Sequence, residues 1–97
     1  MIIRVFRVRI HPRHRDAFEA KFRTQSVQVV ESQEGFDSVT IAKPTRWAPD
    51  EYLMVSKWQS EAALEAFVGP HWNQAHIPPD MATFVAECWV HHYAEFD

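Results

Sequence analysis

The order in which two hydrophobic periodicities follow one another constrains the fold more than any other feature of this sequence. Residues Ile2–Ile10 alternate with a period of two, which predicts a strand, and apolar residues recur at helical spacing over residues 13–32. The remaining elements read as strand, strand, short helix and strand: Phe36–Ala42, residues 52–58, a helix capped by Ser60, and residues 84–96. The order β-α-β-β-α-β predicts an α+β, ferredoxin-like fold, in which a four-stranded antiparallel sheet carries both helices on one face.

The connection at residues 43–50 contains Pro44 and Pro49, so it is predicted to be an exposed hairpin connection. Trp47 lies within it. We expect this side chain to pack back over the edge of the sheet; if it stays exposed, it becomes a candidate contact residue.

A further helical turn is predicted after the second helix, which ends at Gly69. Pro70 is tolerated at the first position of a helix, so residues 71–77 are expected to form a brief helix that the following two prolines stop. In that helix Trp72 and His76 would share a face, whereas His71 would point away from His76.

The length and the cysteine content restrict the class of protein. A chain of 97 residues with 46% hydrophobic residues fits one domain, residues 1–97, without room for a second core. The single cysteine, Cys88, cannot form an internal disulfide and fits a reducing compartment. No leader-like segment precedes the first strand, and no apolar run reaches the length of a membrane span. We therefore expect a cytoplasmic protein with no membrane partner.

Basic residues are concentrated near the start of the chain, although the net charge is only −3. Such asymmetry raises the question of nucleic-acid binding. Arg4, Arg7 and Arg9 alternate with Ile and Val along a strand instead of forming a continuous cationic stripe. Ion pairs and solvated edges explain the pattern better, and no nucleic-acid partner is expected.

The first and last strands carry apolar residues on both sides. Ile3 and Val5 lie opposite Phe6 and Val8 in the alternation of the first strand. Two helices can cover only one face of the sheet, so the other face would expose a larger apolar patch than monomers usually tolerate. A second copy packing sheet against sheet would cover it, which predicts a homodimer.

Several short motifs then resemble one known family. The segment Glu34-Gly35-Phe36-Asp37 is similar to the "pGF" signature of antibiotic biosynthesis monooxygenase domains. Trp58-Gln59-Ser60, followed by Phe67 and by the segment from Trp72 to His76, is similar to that family's W-x-S, aromatic and aromatic-x-x-A-H pattern. The resemblance covers nearly all of the chain. It implies a dimeric α/β barrel of the kind found in cofactor-independent oxygenases that act on quinols or polycyclic aromatics.

The resemblance also implies positions for a site between the sheet and the second helix. In a haem-degrading branch of the family, the pocket is defined by an Asn on the first strand, a Trp on the second helix and a His beyond it. The matching positions here are Phe6, Phe67 and His76, so only the histidine agrees. The haem branch is therefore an alternative, and the leading expectation is a site without a cofactor.

The residue types permit the chemistry of a cofactor-free oxygenase, which needs a dry aromatic pocket and a base. Phe6, Phe67 and Trp72 are candidate substrate-binding residues, with His71 as a further one, and His76 is the candidate catalytic base near neutral pH. The histidine spacing and the lack of clustered carboxylates argue against a metal centre. The chain has only two glycines, which argues against a phosphate-binding loop.

Three functions remain open on this evidence. The leading one is a monooxygenase acting on a small aromatic substrate, and the second is haem binding or degradation through His76. The third is a dimeric binding module that holds a small ligand without turnover, because a ferredoxin-like fold does not by itself settle chemistry.

Overall fold

A computed structural model describes residues 1–72, 74–75 and 77–97, and it confirms the predicted α+β, ferredoxin-like fold. Four strands form one antiparallel sheet in the order β2-β3-β1-β4, with the first strand in the interior of the sheet. The strands are β1 (Ile2–Ile10), β2 (Phe36–Ala42), β3 (Glu51–Trp58) and β4 (Val85–Ala94). The last strand is shorter at both ends than the predicted residues 84–96.

The long first helix is present, but it is not α-helical throughout. A 3₁₀ turn at Pro12–His14 precedes α-helix Arg15–Lys21, a π-helical stretch Phe22–Ser26 and α-helix Val27–Glu31. In the middle of the π-helical stretch, the Thr24 hydroxyl donates a hydrogen bond of 2.8 Å to the Ala20 carbonyl, one turn earlier. Such back-bonding competes with the regular helical ladder and fits the local irregularity.

The second helix, Glu61–Val68, forms as the cap predicted. The Ser60 hydroxyl accepts a hydrogen bond of 3.1 Å from the Ala63 backbone N–H, which satisfies a donor that the first turn leaves unpaired. Gly69 follows the last helical residue with φ of 81°, a backbone conformation that favours glycine. Leu64 anchors the helix in the core at 0% exposure.

The predicted helix at residues 71–77 is wrong: none of the described residues in this range is helical. A four-residue helix forms instead at Pro79–Ala82, with Pro79 in its first turn. Proline restricts the residue before it to extended backbone, and Pro78 has ψ of 144° accordingly, so the prolines that were expected to stop a helix start one. The prediction that Trp72 and His76 share one face of that helix therefore loses its basis. His76 itself lies outside the described residues.

Cross-strand pairing shows which side chains share a face of the sheet. Residues paired directly across neighbouring strands lie on the same face, and on the side that the helices cover Val8 pairs with both Tyr52 and Cys88. This helix-facing side contains the buried core. Trp58 and Ile10 are 0% exposed there, and the rings of Phe18 and Phe22 on the first helix pack against the ring of Tyr52 on β3.

A bulge corrects the predicted alternation of the last strand. Strict alternation along the last strand predicts that Val85 lies on the same side as Trp89 and Tyr93. The register shifts between Arg9 and Ile10, so that Val85 pairs with Ile10 on the helix-facing side. The additional residue on β4 reverses the alternation beyond it, an effect that periodicity alone does not reveal.

Trp47 does not pack back over the edge of the sheet, so that expectation is wrong. Its side chain is 78% exposed, and the Arg46 guanidinium lies 4.2 Å from the centre of its ring. The two side chains form a cation–π pair on the surface.

Gly35 generates a prediction about packing between β2 and the second helix. Its φ is 84°, and a Cβ built on it would clash with the Ala63 Cβ, whereas a Cβ on Gly69, at a φ of 81°, would meet open space. We expect Gly69→Ala to cost about 1–3 kcal/mol through backbone strain, and Gly35→Ala to cost about 1–3 kcal/mol more through the clash. Urea unfolding of both variants measures the difference. Equal costs, or no rescue of Gly35→Ala by Ala63→Gly, would contradict the assignment.

Candidate functional site

A cavity of about 70 Å³ lies between the helix-facing side of the sheet and the helices. Its walls are mostly apolar and come from three strands, from the first and second helices, and from residues 77–81. The residues lining it are Arg4, Phe6, Val8, Phe18, Phe22, Ser26, Val29, Val30, Met54, Ser56, Phe67, Ile77, Pro78, Met81 and Val85. The cavity is smaller than typical ligand pockets, which measure roughly 300–1,000 Å³.

The candidate residues from the sequence fall in different places. Phe6 and Phe67 both line the cavity. Trp72 is half-buried against the core but does not line the cavity, and His71 is exposed. His76 lies outside the described residues, so its position stays a prediction.

The aromatic wall of the cavity is held by the core. Phe67 stacks on Trp58 with ring centres 5.2 Å apart and planes 15° from parallel. Trp58 is held in turn by a hydrogen bond of 2.9 Å from its indole nitrogen to the Ser56 hydroxyl oxygen. On the opposite wall, the π-helical stretch contributes its first and last residues, Phe22 and Ser26. π-Helical turns of this kind are often found at functional sites.

A row of polar residues crosses the otherwise apolar sheet beneath the cavity. Arg4 on β1 pairs directly with Ser56 on β3 and with His92 on β4, so the three side chains share the helix-facing side. We refer to Ser56, Arg4 and His92 as the polar row. Arg4 and Ser56 also line the cavity, at 5% and 1% exposure.

Arg4 connects this row to the segment after the second helix. Its Nη1 donates to the Trp72 carbonyl oxygen at 3.2 Å and lies 2.9 Å from His92 Nε2. The Trp72 ring in turn meets the His92 ring edge-on, with centres 5.1 Å apart. A guanidinium can only donate, so His92 Nε2 accepts and the ring proton is assigned to Nδ1.

Burial sets the protonation behaviour of this pair. Desolvation lowers the pKa of Arg4 to about 10, which leaves the guanidinium charged at neutral pH. Desolvation and the charge of Arg4, with a smaller contribution from His91, lower the pKa of His92 from 6.5 to about 4. At neutral pH the polar row therefore carries one positive charge, on Arg4, beside a neutral imidazole.

The polar row was not among the residues selected from the sequence. The one available signal was the position of Arg4, which shares the apolar side of the first strand with Ile2, Phe6, Val8 and Ile10. An arginine in such a position is rarely buried unless it is paired. The sequence gives no comparable signal for its partner His92, because periodicity does not reveal which strands are neighbours.

Metal binding and a reactive thiol find little support in the part of the chain that the structure describes. There, no three His, Cys, Asp or Glu residues lie close enough together to hold a metal ion. Burial raises the pKa of the Cys88 thiol, which disfavours the reactive thiolate. None of the helices in the described ranges is long and apolar enough to cross a membrane.

The chain is an α+β protein of ferredoxin-like fold. Its aromatic-lined cavity, between the helices and one face of the sheet, is a candidate small-ligand site. The family model described as antibiotic biosynthesis monooxygenase matches residues 1–77, and the chain belongs to this family. Among curated proteins, none matches the chain significantly.

Solved structures of similar fold come from proteins with different described activities. A candidate antibiotic biosynthesis monooxygenase from Deinococcus radiodurans has a TM-score of 0.76 at 12% identity, covering 100% of this chain and 94% of its own. SnoaB from Streptomyces nogalater, described as a cofactor-independent oxygenase, has a TM-score of 0.73 at 16% identity over 99% of this chain and 93% of its own. MhuD from Mycobacterium tuberculosis, described as a haem degrader with two haems bound, has a TM-score of 0.69 at 16% identity over 100% and 98%. At these identities the likeness shows the fold alone.

The buried His92 predicts a loss of stability in acid. Because the folded state holds this imidazole neutral down to about pH 4 while the ordinary pKa is 6.5, the unfolded chain takes up a proton first as the pH falls. The contribution is complete above pH 6.5, is lost on acidification toward pH 4, and amounts to about 2–3 kcal/mol. Urea unfolding near neutral pH and near pH 4 should therefore show a smaller acid-induced loss in His92→Gln than in the unchanged protein. The same loss in both proteins would show that His92 titrates normally in the folded state.

Proposed function

We propose that this protein is a monooxygenase that oxidises a small, electron-rich aromatic such as a quinol, using dioxygen without metal or flavin. The observation that carries the proposal is the cavity between sheet and helices, with Phe6 and Phe67 in its lining. Aromatic walls stack on a planar ring, and in a dry site fixed protein groups can replace the water that would otherwise solvate an ionised substrate. Membership of the antibiotic biosynthesis monooxygenase family supports the same reaction class.

The reaction needs a proton acceptor and an entry for the substrate. His76 is the proposed base that removes a hydroxyl proton from the quinol, which then reduces dioxygen. For a dihydroxynaphthalene, one oxygen atom enters the ring and the other leaves as water, and the ring supplies all the electrons as it becomes a hydroxynaphthoquinone. A cavity of about 70 Å³ is too small for such a ring, so Phe67 or Phe6 must rotate on binding.

Haem is the alternative cofactor, and the cavity does not fit it. The volume of about 70 Å³ lies well below that of typical ligand pockets, and a macrocycle would have to displace both Phe6 and Phe67. No step of the proposed reaction therefore involves haem.

Quinol oxidation tests the proposal. Oxygen uptake with 1,4-dihydroxynaphthalene should be faster with the protein than without it, and His76→Ala should reduce the protein-dependent rate by about 10²-fold or more, the usual contribution of a general base. His11→Ala is the matched control, because His11 follows the last residue of β1 and does not line the cavity. Its rate should equal that of the unchanged protein.

The other outcomes separate the competing functions. Ring binding without oxygen uptake across a panel of quinols would favour a binding module that performs no turnover. A Soret shift on addition of haem that disappears in His76→Ala would favour haem ligation instead.

We also propose that the protein is a homodimer that pairs through the uncovered face of the sheet. This outer face carries six apolar residues on three strands: Ile3, Val5, Leu53, Val55, Trp89 and Tyr93. Tyr93 is 57% exposed, and the others are partly exposed in the single chain. Water contact with such a face is unfavourable, and a second copy would remove it.

Light scattering at micromolar concentration should give the mass of a dimer. Val55→Lys places a charge beside Val5 near the middle of the outer face and should weaken dimerisation by about tenfold or more, because an unpaired ammonium would be desolvated there. Gln28→Lys, on an exposed position of the first helix, adds the same charge and should leave the mass unchanged. A monomeric unchanged protein would remove the dimer from the proposal.

A further inference from the structure

The positive charge of Arg4 has no carboxylate partner among the residues that the structure describes. Five ion pairs are present there, and none of them includes Arg4: Arg7–Glu51, Arg9–Glu87, Arg15–Asp50, Lys21–Asp80 and Lys57–Glu95. Those pairs are all at least partly exposed, whereas Arg4 is 5% exposed. The most buried basic residue in the described part of the chain thus has no counter-charge there.

The same strand provides an internal comparison. Arg7 and Arg9 point to the outer face, where each forms an ion pair with a glutamate of a neighbouring strand. Arg4 points to the helix-facing side, where both cross-strand neighbours, Ser56 and His92, are uncharged at neutral pH. A buried charge without a partner costs several kcal/mol, so such groups are normally paired.

The free donors of Arg4 border open space. Both of its hydrogen bonds use Nη1, which leaves the Nε–Nη2 edge without a partner among the described residues. In the same part of the chain, no fully buried side-chain nitrogen or oxygen lacks a hydrogen-bond partner, so this edge is not sealed in packed protein. Arg4 lines the cavity, which is the space that the geometry offers to that edge. An Nε–Nη2 edge is the fork that binds two oxygens of an anion.

Ser56 and His92 complete the surroundings of the guanidinium. Ser56 lines the cavity beside Arg4, and its oxygen accepts from Trp58, so its own hydroxyl proton remains available as a donor. His92 does not line the cavity and touches Arg4 at Nη1, which makes it a positioning residue for the guanidinium.

We propose that Arg4 and Ser56 form an anion subsite on the sheet side of the cavity, oriented by His92, and that the protein binds planar aromatics bearing a negatively charged oxygen. The oxygen belongs either to a carboxylate on the ring or to an ionised ring hydroxyl, and both would replace the missing counter-charge of Arg4. This inference deepens the proposed function, because it names the substrate class of the same cavity. It concerns binding and ionisation only and involves no electron transfer.

Matched ligands test the subsite without turnover. Isothermal titration of the unchanged protein with 2-naphthoate and with its neutral amide should show tighter binding of the carboxylate by about tenfold or more, the value of a hydrogen-bonded charge pair. Benzoate and benzamide are titrated in parallel, so that a naphthalene ring too large to enter the cavity is not mistaken for the absence of a carboxylate preference. Equal affinities within both pairs, or no binding of any of the four compounds, overturn the carboxylate arm.

The second arm addresses an ionised hydroxyl. 2-Naphthol bound to the unchanged protein near neutral pH should show the absorbance band of the naphtholate if Arg4 stabilises the anion. A carboxylate preference without this band identifies a carboxylate-bearing substrate, and the band without the preference identifies a phenolic one. If neither signal appears, the anion subsite does not exist.

Variants then assign the signal to Arg4. Arg4→Met has similar bulk without charge and should abolish the preference, whereas Arg7→Met removes an arginine from the outer face of the same strand and should retain it. Arg4→Lys, which keeps the charge but loses the fork, should show an intermediate preference, and it serves if the methionine variant does not fold. His92→Phe should weaken carboxylate binding while leaving amide binding unchanged, which a general loss of structure would not do. An unchanged preference in a folded Arg4→Met protein overturns the assignment.

These results are independent of catalysis. A carboxylate preference that depends on Arg4, without oxygen uptake, would retain the subsite and discard the monooxygenase. Oxygen uptake with a substrate selectivity that does not depend on Arg4 would retain the monooxygenase and discard the subsite.

Discussion

The whole structure depends on the fact that two helices can shield only one face of a four-stranded sheet. Between that face and the helices, Trp58, Ile10 and Leu64 are completely buried. Burial of a side chain of the size of Leu or Ile stabilises the domain by about 1.5–3 kcal/mol. The cavity and its aromatic wall lie between the sheet and the helices, and the surrounding core keeps these two layers apart. The opposite face keeps partly exposed apolar side chains for the same geometric reason.

Within the shielded face, the polar row is an exception that packing does not require. Met54, Phe6 and Val90 form the next row of the sheet with apolar side chains. Apolar residues in place of Ser56, Arg4 and His92 would continue that pattern. A buried arginine beside a neutral histidine lowers stability relative to apolar residues of similar size. Such local conflicts with the folding pattern concentrate at functional sites, and this one borders the cavity.

Most of the fold was predictable because it is expressed in short-range patterns. The boundaries of β1 and β2 agree with the sequence interpretation, and the Ser60 cap begins the second helix as expected. The errors have specific physical causes. A bulge moved Val85 to the other side of β4, and proline geometry placed a helix at Pro79–Ala82 instead of at residues 71–77. For the candidate site, sequence reasoning selected Phe6 and Phe67, which both line the cavity, but it missed Arg4 and His92.

Local periodicity is enough to decide where this chain forms strands and helices, since each pattern extends over a few neighbouring residues with a spacing set by the backbone. It also decides that Arg4 faces the same way as Phe6 and Val8, because alternation along one strand needs no knowledge of the others. Which side chains Arg4 meets was decided only in three dimensions. Trp72 and His92 lie 68 and 88 residues away along the chain, and strand order, register and the path after the second helix bring them within hydrogen-bond distance. Those features arise from the packing of the whole sheet, so no single segment of the sequence encodes them.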